Sequence, residues 1–377
     1  MFNLSRENTS NFAKWWRNVD REILLSFVSL FLLGLFFSFS STSSLVGEKL
    51  NKETYYLFIK HFIFVLISLF LLIFISIQEN KKLVKLLTPF FIISIILLLL
   101  VPFLGVEVKG SKRWIQFLFF PRFQPIEIVK PLFILFVAKT IMLNDKMNYH
   151  NRYIISFFSL IVIITLLVNQ PDLGQSLLLM LSWIAMIFVS GFNMFILIVL
   201  GVFAVILFFS LLYFLPSKFG YIFSRLQTFI NPGEGDNFQA QKALDAIKQG
   251  GLTGQGMGEG ILKDKVPEAH TDYIVAVISE EFGALFVLFI IVIFLYVSYR
   301  VLKKIFDTNN EFIKLSLIGL LSLLISQTFI HIGVNARLLP TTGMTLPFLS
   351  YGGSSLIGSA IVSGIILNFT RKDVLRD

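Results

Sequence analysis

Val266-Pro-Glu-Ala-His-Thr-Asp-Tyr-Ile-Val-Ala-Val-Ile-Ser-Glu-Glu281 joins the two kinds of chain from which this sequence is made. Its first part, Pro267 to Asp272, is polar and closes a long hydrophilic excursion. Its second part opens an apolar span at Tyr273, so Asp272 is expected where a membrane helix meets water. A carboxylate there is poorly solvated on one side and reachable on the other, which raises an acid towards the working range of a general base. Spacing alone favours a helix N-cap or a first-turn acid stabilised by the helix dipole, because Asp is a leading N-cap residue.

Composition says how general that boundary is. The chain has 377 residues, is 55% hydrophobic and only 15% charged, with a mean hydropathy of +0.79. An ordinary soluble domain carries about a quarter charged residues. The balance excludes an ordinary soluble enzyme and points to an all-α polytopic membrane protein. Cysteine is absent, which removes disulfides and thiolate metal sites, and four histidines in no ligand-like spacing argue against structural zinc. The net charge of +9 reads as cytoplasmic loop anchoring, and no aromatic-basic pattern outside the membrane suggests nucleic acid.

Apolar spans fall at 23–45, 55–77, 86–104, 126–143, 153–169, 174–191, 193–215, 272–300, 312–337 and 353–370. Each approximates the ~20 residues that cross a bilayer core. The expected organisation is a cytoplasmic segment 1–22, a ten-span membrane domain 23–370 and a cytoplasmic tail 371–377. A large extracytoplasmic loop, 216–271, lies between spans seven and eight. Short connections carrying Lys81, Lys82, Lys85, Lys139, Lys146, Arg152, Arg300, Lys303 and Lys304 set the cytoplasmic side. Lys109, Lys112, Arg113, Arg122, Lys263 and Lys265 lie on the opposite face, where an anionic ligand would account for them.

Inside the excursion, Ala240, Ala243, Leu244 and Ile247 recur at helical spacing, so Asp236 to Gln249 is predicted as an amphipathic helix along the membrane surface. The glycines from Gly250 to Gly260 suit either a hinge or a loop whose N–H groups approach an oxyanion. Glu127 and Lys130 share a helical face and are expected to pair within the membrane. Gln327, His331 and Asn335, four apart, form a polar stripe more suited to joining helices than to binding substrate. The Pro- and Gly-rich stretch Leu339 to Ser355 is broken backbone, tolerated at membrane depth only if buried in protein or facing water.

Four stretches together carry a resemblance: Gly110-Ser-Lys-Arg-Trp114, Gln170-Pro-Asp-Leu-Gly174, PEAHTDYI (267–274) with SEEFG (279–283), and LPTTGMTLPFLSYGGSS (339–355). They resemble, in the same order, the SEDS family (shape, elongation, division and sporulation), which contains FtsW and RodA. PTTG followed by TLPF looks more like FtsW than RodA. The resemblance implies a peptidoglycan glycosyltransferase that polymerises lipid II during cell division, displacing polyprenyl diphosphate with inversion. It implies that Asp272 is the essential acid, as base or as ligand of a divalent cation (Mg or Mn). Lys112, Arg113, Arg122 and Lys265 are then candidates to receive the diphosphate, with Glu268, His270 and Thr271 as further substrate contacts. Glu280 and Glu281 are expected to be structural. Family members commonly carry Asn where His331 stands, so no catalytic role is assigned there. The implied partners are a class B penicillin-binding transpeptidase and other division-machinery membrane proteins. The implied location is the bacterial cytoplasmic membrane, with both termini inside. A lipid II flippase or transporter and a non-catalytic division scaffold are the alternatives.

Overall fold

The computed structural model describes residues 10–41, 55–108, 110–116, 121–144, 147–214, 216–231 and 237–374. Lys109, Lys146 and Asp236 fall outside them. Thirteen α-helices are described: α1 Asn11–Asn18, α2 Arg21–Ser41, α3 Tyr56–Ile77, α4 Asn80–Leu104, α5 Ile126–Met142, α6 Tyr149–Asn169, α7 Leu173–Val189, α8 Met194–Phe214, α9 Pro216–Ile230, α10 Phe238–Gly250, α11 Ile274–Asp307, α12 Glu311–Asn335 and α13 Gly353–Phe369. Seven of these are long and apolar enough to cross a membrane: α2, α3, α4, α6, α8, α11 and α12. The three remaining expected spans correspond to α5, α7 and α13, each of 17 residues. At 1.5 Å per residue these reach only about 25 Å.

The exposed and buried faces of α3 differ in side-chain size. On α3, Phe62, Phe70 and Phe74 are exposed, whereas Val65, Ser68, Leu72 and Ser76 are buried. α3 packs most intimately on α13, whose small residues let the two backbones approach. A Cβ on Gly364 would lie 3.0 Å from the Leu72 carbonyl oxygen, and one on Gly353 would strike the Phe64 ring at 2.5 Å. α12 is the most enclosed long helix, lying among α5, α7, α11 and α13.

Two features depart from the expected all-helical chain. After α4, β1 (Gly105–Val108) and β2 (Ser111–Ile115) form an antiparallel hairpin with Val106 opposite Trp114 and Glu107 opposite Lys112. Ile115 and Phe123 exchange both backbone hydrogen bonds and return the chain to α5. The second is a break in α11. Gly283 has φ 81° and ψ 173°, so the expected span 272–300 is two helices in series. The first, from Ile274 to Glu281, is buried on every side.

The Gly250–Gly260 stretch fills that break. Gln255 N–H and Gly256 N–H donate to the Glu280 and Glu281 carbonyls at 2.9 and 3.0 Å, and Ala284 N–H donates to Gly251 at 2.9 Å. Cβ atoms on Gly250, Gly254 and Gly283 would meet backbone oxygens at 1.8–2.2 Å. The glycines therefore serve backbone-to-backbone contact, and these N–H groups are not offered to an oxyanion. α10 packs on α11, burying Ala240, Ala243 and Ala246 in protein instead of the membrane surface.

At one end of the bundle Arg300 binds Asp20 at 2.8 Å, and Asn368 donates to the last carbonyls around α3. Lys372 N–H donates to Asn18 at 3.0 Å, so the described start and finish of the chain lie together. At the other end the loop 339–352 enters the bundle. Phe348 is fully buried against Phe27, Phe31 and Phe294. That broken backbone is enclosed by protein, as its depth requires.

Candidate active site

The turn before α11 is built around one carbonyl. Glu268 adopts φ 57°, and its oxygen accepts the N–H groups of Thr271, Asp272 and Tyr273 at 3.1, 3.1 and 3.2 Å. Thr271 Oγ1 donates to Glu268 Oε2 at 2.8 Å. Three outside contacts hold the same turn. Ser350 Oγ donates to the Thr271 carbonyl at 2.7 Å, Tyr351 N–H to the His270 carbonyl at 2.9 Å, and Asn335 Nδ2 to the Asp272 carbonyl at 3.0 Å. The His270 ring meets Tyr351 edge-on. The Asp272 backbone is thereby fixed, and its side chain is half-buried. Its Oδ2 faces Gly343, at 3.7 Å from where a Cβ would stand. The N-cap of α11 is Tyr273, without a side-chain capping bond, so Asp272 does not hold the capping position.

Arg225 lies within charge range of this carboxylate and relates it to a second pair, Arg113 and Asp172. Arg113, on β2, donates through Nε to Gln170 at 3.0 Å and through Nη2 to the Pro171 carbonyl. Its Nη1 stands 3.8 Å from Asp172 Oδ2. Asp172 caps α7, accepting from Gln175 N–H at 3.5 Å, and also accepts from Gln124 Nε2 at 3.2 Å. Burial pushes the Asp172 carboxyl up against the pull of Arg113. Arg225, on α9, donates to the Thr341 carbonyl at 3.1 Å. Burial and then the like charge of Arg113 lower its affinity for a proton, while Asp172 and Asp272 both pull it upward. Arg113, Asp172, Arg225 and Asp272 thus form one electrostatic group of alternating sign.

The expected cations divide. Arg113 joins the group, though mostly committed to the 170–172 turn. Lys112 and Lys265 are exposed on the hairpin and on the single 3-10 turn Lys263–Lys265. Arg122, also exposed, contacts Gln116 at 3.4 Å. No described bond brings these three to Asp272. Glu268 shapes the turn. Glu280 accepts the N–H groups of Leu262 and Lys263, both at 2.7 Å, and Glu281 binds Lys263 Nζ and Ser40 Oγ. Both are structural, as expected. Arg225 was not singled out in the sequence. Its signal is a lone arginine among aromatic residues, Phe223 and Phe229, inside the long excursion.

Beneath the turn runs a polar rail. Gln327 Nε2 donates to Thr345 at 3.0 Å, His331 Nδ1 meets Met344 O at 2.7 Å, and Asn335 reaches Asp272. The stripe on α12 joins elements instead of facing a ligand. Lys130 binds Glu127 at 2.9 Å and Gln327 at 3.3 Å, and Gln175 adds a bond to Glu127 at 3.2 Å. Among the described residues no three His, Asp or Glu side chains converge as a metal cage.

Known proteins share this whole architecture. The family model FTSW_RODA_SPOVE, described as cell cycle protein, matches residues 21–374. A probable peptidoglycan glycosyltransferase FtsW of Caulobacter vibrioides is 32% identical over 368 residues, covering 98% of this chain and 93% of its own. That of Haemophilus influenzae is 33% identical over 378 residues, with 97% and 95% covered. A chain from a peptidoglycan synthase complex, described as coordinating polymerization and crosslinking, superposes with a TM-score of 0.75 at 24% identity, over 95% of this chain and 99% of that one. The rod shape determining protein RodA of Thermus thermophilus superposes at 0.69, also at 24% identity, over 94% and 97%. At that identity the solved structures speak for the fold.

Proposed function

The chain belongs to the FtsW–RodA–SpoVE family of cell-cycle proteins, and from that premise we propose that it is a peptidoglycan glycosyltransferase that polymerises lipid II during cell division. The observation that carries the site assignment is a half-exposed carboxylate, Asp272, on an immobilised backbone turn and within charge range of the Arg225 guanidinium.

The donor is a disaccharide-peptide linked through C1 to a polyprenyl diphosphate, and the acceptor is the 4-hydroxyl of a second such molecule. Asp272 takes the hydroxyl proton as the oxygen attacks C1. The C1–O bond to the diphosphate breaks with its electron pair, and the anion leaves on the opposite face, giving inversion. Arg225, with the remaining donor capacity of Arg113, faces the charge that develops on the leaving group. The bonds to Thr271, His270 and Asp272 carbonyls fix the base before substrate arrives. A divalent cation fits this site only as one shared with the substrate, because Asp272 offers a lone carboxylate and Asp172 is committed to Arg113. Such a cation would be held by Asp272 and the diphosphate oxygens, and would neutralise the leaving group.

The membrane is the bacterial cytoplasmic membrane, with the Asp20–Arg300 end and both termini inside, supported by the lysines and arginines of the short loops. A class B penicillin-binding transpeptidase and further division proteins are its partners. The test is lipid II polymerisation by the complex with its transpeptidase. Asp272→Asn abolishes polymer while expression and detergent behaviour stay normal; normal polymer from that variant would end the base assignment. Translocation of lipid II without polymerisation would favour a transporter, for which the buried Glu127–Lys130 pair is the supporting observation.

A further inference from the structure

α12 ends in a Schellman motif with the wrong residue in it. Leu338 N–H donates to Gly333 at 2.7 Å and Arg337 N–H to Val334 at 3.1 Å, which puts Arg337 at the left-handed position after the helix. Its φ is 57°, a place normally held by glycine because a Cβ is disfavoured there. A bulky residue keeps such a conformation where its side chain is needed. Arg337 lines a cleft between α9, α10 and the start of the 339–352 loop, with about 150 Å³ of space open to water. Arg225 lines the same cleft, with Ser224 and Thr228 beside it. Arg337 Nη1 donates to Gln241 Oε1 at 2.9 Å, while Nη2 is buried with no hydrogen-bond partner among the described residues. No described ion pair joins either guanidinium to a carboxylate. Two guanidiniums and two hydroxyls lining one cleft, with no described carboxylate paired to either guanidinium, are arranged for an oxyanion.

We propose that this cleft is a second diphosphate subsite, which holds the acceptor's diphosphate while the donor's departs beside Asp272. The identity of the ligand rests on the glycosyltransferase reading; the oxyanion site itself does not. The reaction places two diphosphates near the base at every addition. One is cleaved at the reacting carbon. The other stays on the acceptor, one disaccharide away. Arg225 stands at the boundary, feeling the charge of Asp272 while lining the cleft. Arg337 lies beyond it, two residues after the Asn335 that holds the Asp272 carbonyl.

The test uses the full chain in nanodiscs with Asp272→Asn as background, so that nothing turns over. Farnesyl diphosphate, inorganic pyrophosphate and phosphatidylglycerol are the probes. Arg337→Gly removes the guanidinium and installs the residue the backbone favours, so the fold should hold and the melting temperature should not fall. It should weaken farnesyl diphosphate and pyrophosphate binding roughly tenfold, the loss of one charge-assisted contact. Gln241→Ala breaks only the tether to α10 and should change binding by less than about twofold. Equal weakening by both variants, or none from Arg337→Gly, would overturn the site. Displacement of farnesyl diphosphate by equimolar phosphatidylglycerol would overturn the acceptor assignment in favour of a membrane headgroup. With Asp272 restored and the transpeptidase bound, Arg337→Gly should raise KM for lipid II and leave kcat nearly unchanged. Absence of polymer from the native complex, with Arg337-dependent pyrophosphate binding intact, would sink the glycosyltransferase reading while the oxyanion site stood.

Discussion

Asp272 and Glu281 sit at the two ends of the same short buried helix, and the chain treats them in opposite ways. Glu281 is saturated: Lys263 Nζ, Ser40 Oγ and the Gly258 N–H all point at it, and its side chain is fully enclosed. Asp272 has its backbone tied at several points, while its half-buried side chain faces a glycine. Both are acids in an apolar setting. What separates the structural carboxylate from the one proposed to do chemistry is which atoms the described contacts hold. At Glu281 it is the carboxylate; at Asp272 it is the main chain behind it.

Substitutions break the comparison in order of expected size. Asp272→Asn should cut polymerisation roughly 10²–10⁴-fold, the usual contribution of a general base, with the melting temperature unchanged. Lys263→Met should leave Glu281 with a buried charge and cost about 3–5 kcal/mol of stability, read as earlier loss of monodisperse protein on heating. Lys263→Met with Glu281→Leu should recover most of that loss. Gly283→Ala should cost about 1–3 kcal/mol from backbone strain alone, and more because the Leu252 carbonyl stands 2.2 Å from the new Cβ. Asn335→Ala should lower kcat roughly tenfold with little change in KM, since it frees the Asp272 carbonyl without touching substrate. Lys112→Ala, Arg122→Ala and Lys265→Ala should each change kcat/KM by less than about twofold, as expected of exposed charges. A loss as large as that of Asp272→Asn from any of the three would redraw the site.

The helices were legible because bilayer thickness writes itself as run length and apolarity. The Glu127–Lys130 pair and the Gln327–His331–Asn335 stripe were legible because helical spacing places them together. The break at Gly283 was not. Phe282-Gly-Ala reads as ordinary membrane helix, and the distortion depends on a loop that returns from thirty residues upstream to occupy it. The hairpin was hidden for a similar reason, since its strands are short and end in a bridge to Phe123. Arg225 escaped because its position comes from α9 folding back over the 339–341 segment, a tertiary fact without local trace. Lys112 and Lys265 show the reach of charge pattern alone: it places them on the outer face, where both are exposed, and does not say which way a side chain points.

Phe348 has a consequence for biogenesis. It is wedged among aromatic rings from α2 and α11, while Ser350 and Tyr351, two and three residues later, grip the turn that presents Asp272. A nascent chain released from the ribosome before this stretch would carry Asp272 on an unsupported turn. The turn behind Asp272 is therefore among the last parts of the protein to be locked in place as the chain is made.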